Sequence, residues 1–477
     1  MSVRLQRLIP FAAPFLSSIL ILLASPAQYP GRQQDDLLYI LASLALSHGR
    51  YHLPTSPAYI PLVMVNPGLP ALLLPVAWVF GIRIWAYQIA ATLMAAALPW
   101  AYAAWLFRRA EEPARSLLVL LLSSSPLVLS QSGCVMSETP YLLFLFSWLL
   151  LLEKAPGERP VRCGAGLLAL CELRLAALSL FPAAVAAQTG RRRWRQAAII
   201  VGIAGGGLLP WLWWSHAHGG VQKISEFLPA AGSARRVIPE AYANALYYLQ
   251  AWGQCYGPSA LAAHRWLALG AGTLLAAVAA LGAARLWREN PAERPALWAL
   301  GGSTILYLIW PWHYQRYLMT ILPWLLWSLA RGAGELRVPL LSLLLAGQFS
   351  WNSLAWISGR SPYSQPGLRE TYSWIRKHTQ PWEALSSPLY VRDGLYSRRP
   401  CLPLPDASSA ASFSSLLKRI KARIILKETR IDLGFSDPKS SLILQRLSRD
   451  YDWLNDPGYF RRIYDNPREN VAIYEPR

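Results

Sequence analysis

The sequence predicts an α-helical polytopic membrane protein of about 11 spans that ends in a soluble α/β domain. Three observations carry this. Of the 477 residues, 54% are hydrophobic and only 15% are charged, whereas a soluble chain usually carries about a quarter charged residues. Nearly uncharged runs recur at 86–107, 197–215, 266–284 and 338–357, each close to the roughly 20 residues that a helix needs to cross a bilayer core. After 357 the composition changes and polar and charged residues return.

The first apolar segment, 8–25, has no evident small-residue cleavage site and is followed by further spans, so it reads as a retained first helix. The expected spans are 8–25, 83–107, 116–131, 139–153, 163–173, 175–188, 196–215, 265–286, 297–312, 317–331 and 338–357. The fifth and sixth are short and read as a tight hairpin. The apolar stretch 69–80 is short and Pro-flanked, which suits a helix lying in the interface.

With the N-terminus inside, one face collects Arg4, Arg7, Arg108, Arg109, Arg115, Lys154, Arg159 and Arg162. Arg191, Arg192, Arg193, Arg195, Arg285, Arg288, Arg294, Arg331 and Arg337 join them there. Short loops of the other face, such as 131–138, are nearly free of Lys and Arg. This is the positive-inside asymmetry, and it accounts for much of the net charge of +20 without a nucleic-acid partner. An odd number of spans puts the termini on opposite sides, giving a membrane domain over 1–357 and an outer α/β domain over 358–477.

In the outer domain, helices are expected at 371–378, 412–420 and 441–454. Strands are expected at 423–427, 460–464 and 471–474, with a turn at 465–469. No GxGxxG, P-loop or GxSxG stands at a strand-to-helix junction. The five cysteines, Cys134, Cys163, Cys171, Cys255 and Cys401, form no CxxC or Cys/His metal pattern.

Acidic residues are sparse in the membrane half, so each one is informative. Toward the outer side lie Asp35, Asp36, Glu138, Glu226 and Glu240, and Glu172 lies within a span. Asp35 and Asp36 open an amphipathic stretch, 35–49, where a carboxylate either caps a helix or stands ready to accept a proton. Glu138 opens the fourth span. Arg174 lies between two short spans, a depth at which an arginine needs a partner or a task, and Glu138 and Glu172 are the candidate partners. Arg316 and Tyr317 open the tenth span, where Arg316 either snorkels or serves a site. The outer loop 216–264 carries Lys223, Arg235, Arg236 and several aromatics, among them Tyr242, Tyr247, Tyr248 and Trp252.

One carboxylate and several cations at one leaflet form the set needed for transfer from a phosphate-linked donor. The base takes a proton from the acceptor hydroxyl, and cations stabilise charge growing on the departing phosphate. Phosphate leaves without protonation, so the second acid of glycoside hydrolysis is not obligatory.

The motifs, in order, resemble those of the polyprenyl-phosphate-dependent GT-C glycosyltransferases, among them the lipid A aminoarabinose transferase and protein O-mannosyltransferase types. Asp35-Asp36-Leu37-Leu38-Tyr39 resembles that family's Asp-Glu-x-x-Tyr after the first span. Ser47-His-Gly-Arg-Tyr51 and Asn66-Pro-Gly-Leu-Pro70 resemble its next stretch, and Ser137-Glu138-Thr139-Pro140 its second acidic motif. Leu173-Arg174 resembles its Thr-Arg or Thr-Lys site, although Glu-Leu stands here where Leu-Thr is commoner. Arg316-Tyr317-Leu318 with Pro323 resembles its late Arg-Tyr motif, and Tyr372-Ser-Trp-Ile-Arg376 the start of its outer domain.

The resemblance implies inverting transfer of a sugar from a polyprenyl-phosphate donor to a glycan, lipid or protein acceptor at the outer face of a bacterial plasma membrane. Asp35 would be the general base, with Asp36 orienting it or binding substrate, next to Tyr39. Glu138 would position sugar or acceptor. Arg174 and Arg316, beside Tyr317, would hold the phosphate with Lys223, Arg235 or Arg236. Some relatives use a divalent metal; the adjacent Asp-Asp lacks Asp-x-Asp spacing, so no obligatory metal is expected. A transporter or lipid flippase would instead place its charges near the midplane and often show internal repeats. A membrane-anchored assembly protein would need no polar cluster in its membrane half.

Overall fold

The computed structural model describes residues 3–24, 30–31, 35–154, 159–189, 192–220, 234–257, 264–310, 313–357, 367–429 and 438–477. Its helices in chain order are α1 (Val3–Ala24), α2 (Asp35–Ser47), α3 (Gly68–Leu72), α4 (Leu74–Phe80), α5 (Ile84–Leu106), α6 (Ala114–Ser123), α7 (Pro126–Gln131), α8 (Glu138–Lys154) and α9 (Pro160–Leu173). After a 3-10 turn (Leu175–Leu180) follow α10 (Phe181–Thr189), α11 (Trp194–Ala217), α12 (Ala234–Gln254), α13 (Arg265–Glu289), α14 (Arg294–Ile309), α15 (Gln315–Gly332) and α16 (Arg337–Ile357). The C-terminal part comprises α17 (Arg369–His378), β1 (Ala384–Ser386), α18 (Tyr390–Ser397), β2 (Cys401–Leu402), α19 (Ala410–Arg419), β3 (Ala422–Glu428), α20 (Pro438–Trp453), β4 (Phe460–Asn466) and β5 (Val471–Pro476).

The chain packs as two compact units. One is Met1–Ala27, Asn66–Leu72 and Trp85–Pro362; the other is Gln28–Val65, Leu73–Ile84 and Tyr363–Arg477. The stretch bearing Asp35 and Asp36 thus shares a unit with the C-terminal sheet.

The first unit is helical. Among the described residues α5, α11 and α13 are long and apolar enough to cross a membrane, and Phe11–Leu23, Ala114–Ser123 and Leu175–Thr189 are shorter apolar helices. Helix α13 buries Ala268, Gly272, Leu275, Ala279, Gly282 and Leu286 at helical spacing and exposes Trp266, Leu267, Leu274 and Leu281. Small residues inward and large apolar ones outward is the pattern of a helix whose outer face meets lipid, since close helix approach there depends on small side chains.

The expected span 116–131 is two helices. Pro126 starts α7, and Ser125 caps it by accepting from the Leu127 N–H. Gln348 of α16 satisfies the break with its amide, donating to Leu121 O at 2.7 Å and Ser124 Oγ at 2.6 Å. Gly164 faces Ile200 and Ile203, and Gly207 faces Leu168, so α9 and α11 run parallel and the chain reverses between them. The expected outer loop 216–264 contains a helix, α12, whose Asn244 amide caps α14 by donating to Leu308 O and Trp310 O at 2.7 and 2.8 Å.

Helices α8 and α15 each carry charge at both ends. Glu138 and Arg316 lie at their starts, and Glu153 and Arg331 at their ends. The 15-residue separation corresponds to roughly 22 Å along a helix. Between these poles Trp105 packs on Phe146, Trp324 and Trp327, with ring centroids 5.1–5.5 Å apart. The Tyr102 hydroxyl donates to Pro323 O at 2.8 Å.

The second unit is built on a five-stranded sheet of order β2-β1-β3-β5-β4. β1 lies parallel to β2 and β3, and β5 is antiparallel to β3 and β4. Alternate residues serve the two faces: Ile424, Leu426 and Ile473 pack with Tyr372 and Ile375 of α17, whereas Ile425, Ala472 and Tyr474 pack with Phe413 and Leu417 of α19. The Glu469 carboxylate, from the β4–β5 turn, caps α17 by accepting from the Glu370 and Thr371 N–H groups at 3.0 and 2.8 Å.

Candidate functional site

The sequence candidates fall into two groups, one in each unit. In the membrane unit the structure brings Glu138, Arg174, Arg316 and Tyr317 together. Glu138 is only 1% exposed. Its Oε1 accepts from Arg174 Nη1 at 2.7 Å and faces Arg316 Nε at 3.3 Å. Its Oε2 is buried with no hydrogen-bond partner among the described residues. Arg174 Nη1 also donates to Ser137 Oγ at 3.2 Å.

Both guanidinium groups rest on aromatic faces. Arg174 lies 4.9 Å from the Tyr317 ring centroid, and Arg316 lies 4.3 Å from Tyr314 and 5.8 Å from Tyr317. Tyr307 stacks on Tyr317 at 5.1 Å. Such faces favour a cation without neutralising it. Of the two partners open to Arg174, Glu138 is the one at ion-pair distance.

The local chain explains how Arg174 is held. It ends α9 in an extended conformation, φ −159° and ψ 119°. The Asn66 amide donates to Cys171 O at 3.0 Å, capping the helix end. Gly68 lies directly on the backbone of Glu172 and Leu173, where a Cβ would overlap main-chain atoms. Asn66-Pro-Gly therefore buttresses the turn that presents Arg174. Gly68→Val is expected to destabilise the protein by about 2–3 kcal/mol through overpacking against backbone, read as a lower Tm in detergent.

In the second unit Asp35 and Asp36 open α2, as acidic residues at a helix start should. Asp35 is half-buried. Asp36 is 5% exposed, and its carboxylate accepts from the Gly31 N–H at 3.0 and 3.1 Å and from the Leu37 N–H at 2.8 Å. Gly31 has φ +106°, and a Cβ there would sit 2.7 Å from Arg392 Cγ and 2.8 Å from Leu37 Cδ1; both facts demand glycine. The Tyr396 hydroxyl donates to Pro30 O at 3.1 Å.

Arg392 itself bonds Asp393 at 2.9 Å and Glu428 at 2.6 Å, and Asp393 also accepts from Tyr372 and Ser387. Burial disfavours the Arg392 charge, but Asp393 and Glu428 beside it reverse that and hold the guanidinium protonated. A chain of contacts thus runs from Arg392 and Tyr396 through Pro30 and Gly31 to Asp36 and the first turn of α2. Tyr39 lies one turn on, half-buried.

Lys223 lies outside the described residues. Arg235 and Arg236 fall in the first turn of α12, with side chains outside the described set. Tyr307 and Tyr314 are partners that the motifs did not single out. Tyr314 stands in an aromatic Trp-Pro-Trp-His-Tyr-Gln run just before Arg316, a sequence cue to it, whereas Tyr307 sits in an ordinary apolar helix. Both Asp36 oxygens accept from backbone N–H groups. Among the described residues no group of three His, Cys, Asp or Glu side chains could hold a metal ion.

The chain has the fold of the Archaeoglobus fulgidus oligosaccharyltransferase. Its structure tethered to an acceptor peptide with the NVT sequon aligns at TM-score 0.58 and 11% identity, over 98% of this chain and 73% of that one. Its apo form aligns at TM-score 0.55 and 10% identity, over 88% and 69%. ArnT from Cupriavidus metallidurans bound to undecaprenyl phosphate aligns over 99% of this chain and 98% of that one, with 12% identity and a TM-score of 0.44. No family model matches the sequence, and no curated protein matches it.

Proposed function

We propose that this protein is an integral-membrane inverting glycosyltransferase that moves a sugar from a polyprenyl-phosphate donor to an acceptor hydroxyl on the extracytoplasmic face. The observation that carries this reading is the pair of guanidinium groups, Arg174 and Arg316, on the single buried carboxylate of Glu138. Guanidinium groups are strong, directional partners for a phosphate, and a buried carboxylate between them holds them in place before substrate arrives. The motif order read from the sequence and the fold support the same reading.

In the proposed reaction the Asp35 carboxylate takes the proton of the acceptor hydroxyl. The acceptor oxygen bonds to the anomeric carbon on the face away from the phosphate. The carbon–oxygen bond to phosphate breaks, and the polyprenyl phosphate leaves with the electron pair. Arg174 and Arg316 stabilise the charge that grows there, with Lys223, Arg235 or Arg236 as further phosphate contacts. Asp36 fixes the first turn of α2 and thereby orients Asp35, with Tyr39 on the same helix as a substrate contact. The free Oε2 of Glu138 accepts from a sugar or acceptor hydroxyl. Tyr317 supports both cations from its ring faces. A bacterial plasma membrane of about 11 spans, with the C-terminal domain outside, is the setting proposed from the basic loops.

The test is turnover of polyprenyl-phosphate sugars with candidate glycan, lipid and protein acceptors by purified protein in vesicles. Product with an inverted anomeric centre is the expected result. Movement of intact donor across the vesicle without cleavage would favour a flippase. No step passes through a metal, so turnover is expected to survive excess chelator; abolition by chelator and rescue by a divalent cation would refute that point.

A further inference from the structure

Two cavities lie at the other pole of the membrane unit, by Glu153 and Arg331. One is a groove of about 450 Å³ whose far part is apolar, lined by Phe11, Pro14, Trp100, Ala103, Ala104 and Leu150. The other is a polar pocket of about 250 Å³, which includes Arg331, Arg337, Glu111 and Glu293. They share Phe107, Arg108 and Arg109, so groove and pocket adjoin. Phe11, Trp100 and Phe107 are 57%, 40% and 64% exposed, which opens the groove sideways to the bilayer.

The charges in this region are unevenly committed. Arg109 is held by Glu153 at 2.6 Å and Glu293 at 2.8 Å, and Arg115 by Glu112 at 2.8 Å. Arg337 stands 3.5 Å from Glu111, a side chain 88% exposed, a pairing that solvent weakens. Arg108 and Arg331 form no ion pair among the described residues. The lining therefore offers uncommitted cations directly beside a lipid-facing apolar slot.

We propose that groove and pocket form one site for an anionic glycerophospholipid. Its headgroup phosphate sits between Arg108 and Arg331, with Arg337 at the rim, and one acyl chain lies along Ala103, Ala104 and Trp100. A basic pocket between helices at the membrane surface recognises such a headgroup, and the apolar groove selects an amphiphile over a soluble anion. The site lies roughly 22 Å along α8 from Glu138 and stands whether or not the proposed transfer reaction holds.

The experiment uses the purified full chain in neutral detergent. Short-chain phosphatidylglycerol, phosphatidylcholine of the same chains, inorganic phosphate and a polyprenyl phosphate are added separately, and Tm and the lipid retained in native mass spectra are read. Phosphatidylglycerol is expected to raise Tm and to stay bound, with phosphatidylcholine and inorganic phosphate doing neither. The pair Arg108→Gln and Arg331→Gln is expected to weaken binding about 30-fold, the loss of two near-surface charges. Ala104→Trp, which fills the groove and leaves the arginines intact, is expected to weaken it too. Each variant is compared with its own lipid-free Tm, so a folding defect is distinguished from a binding defect. Equal shifts with phosphatidylcholine, a full shift with inorganic phosphate, or unchanged binding in the double variant would overturn the proposal. Tighter binding of polyprenyl phosphate at the same residues would overturn the glycerophospholipid assignment.

Discussion

Asp35→Asn is expected to lower turnover by about 10³-fold, within the range of a lost general base, with little change in Tm or in donor binding. The amide has the shape of the carboxylate but cannot accept the proton. Asp36→Asn is expected to behave differently. Asp36 holds the Gly31 and Leu37 N–H groups, and an amide of similar shape turns a donor toward one of them. A buried donor facing a donor forfeits a bond and leaves polar groups unsatisfied, about 1–3 kcal/mol. The second variant therefore loses Tm first and activity with it. Tyr396→Phe removes the bond to Pro30 O without touching either carboxylate, and is expected to lower kcat several-fold with KM unchanged. Full turnover in Asp35→Asn would eliminate it as the base, whereas full turnover in Tyr396→Phe would show only that the loop contact does not position it.

The contrast between the two aspartates also shows what a sequence can carry. Adjacent acids at a helix start are visible in the chain, and so is the choice between cap and base. What separates the two roles is Gly31 and, behind it, Arg392, some 360 residues on by SEQ numbering, and no periodicity signals that meeting. Helices with strong apolar patterns, such as α5, α11 and α13, were legible because burial and exposure repeat along them. Strands β3, β4 and β5 alternate long enough to be read. β1 and β2, at three and two residues, are too short to show a period, so α18 between them, with the buried Asp393, was missed as well. The helix α12 was hidden within a polar, aromatic-rich loop, with Pro239 near its start. The partner of Arg174 was narrowed to two acids by sequence, and only the fold chose Glu138.

Glu138→Gln is the other variant with a large expected effect, and its sign depends on whether a phosphate ligand is present. In the ligand-free protein the carboxylate lies against two buried cations, Arg174 and Arg316, whose side chains are 14% and 9% exposed. Removing that charge while keeping the side chain's shape breaks the ion pairing at Glu138, a loss of about 3–5 kcal/mol for a broken buried pair. Tm is therefore expected to fall sharply. An added polyprenyl phosphate brings the missing negative charge back. Its stabilisation follows the logarithm of ligand over Kd, and Kd is expected to fall because the site has gained a full positive charge. The Tm gain on adding polyprenyl phosphate is thus larger in Glu138→Gln than in the parent, while sugar transfer is weaker because the Oε2 acceptor is gone. Arg316→Gln tests the same balance from the other side: it removes one positive charge, leaves Glu138 paired to Arg174, and is expected to raise the donor KM between about 10- and 100-fold, the worth of one charged hydrogen bond. If the cluster were only a structural ion pair, Glu138→Gln would lose Tm with no ligand-dependent recovery, and Arg316→Gln would leave the donor KM where it was.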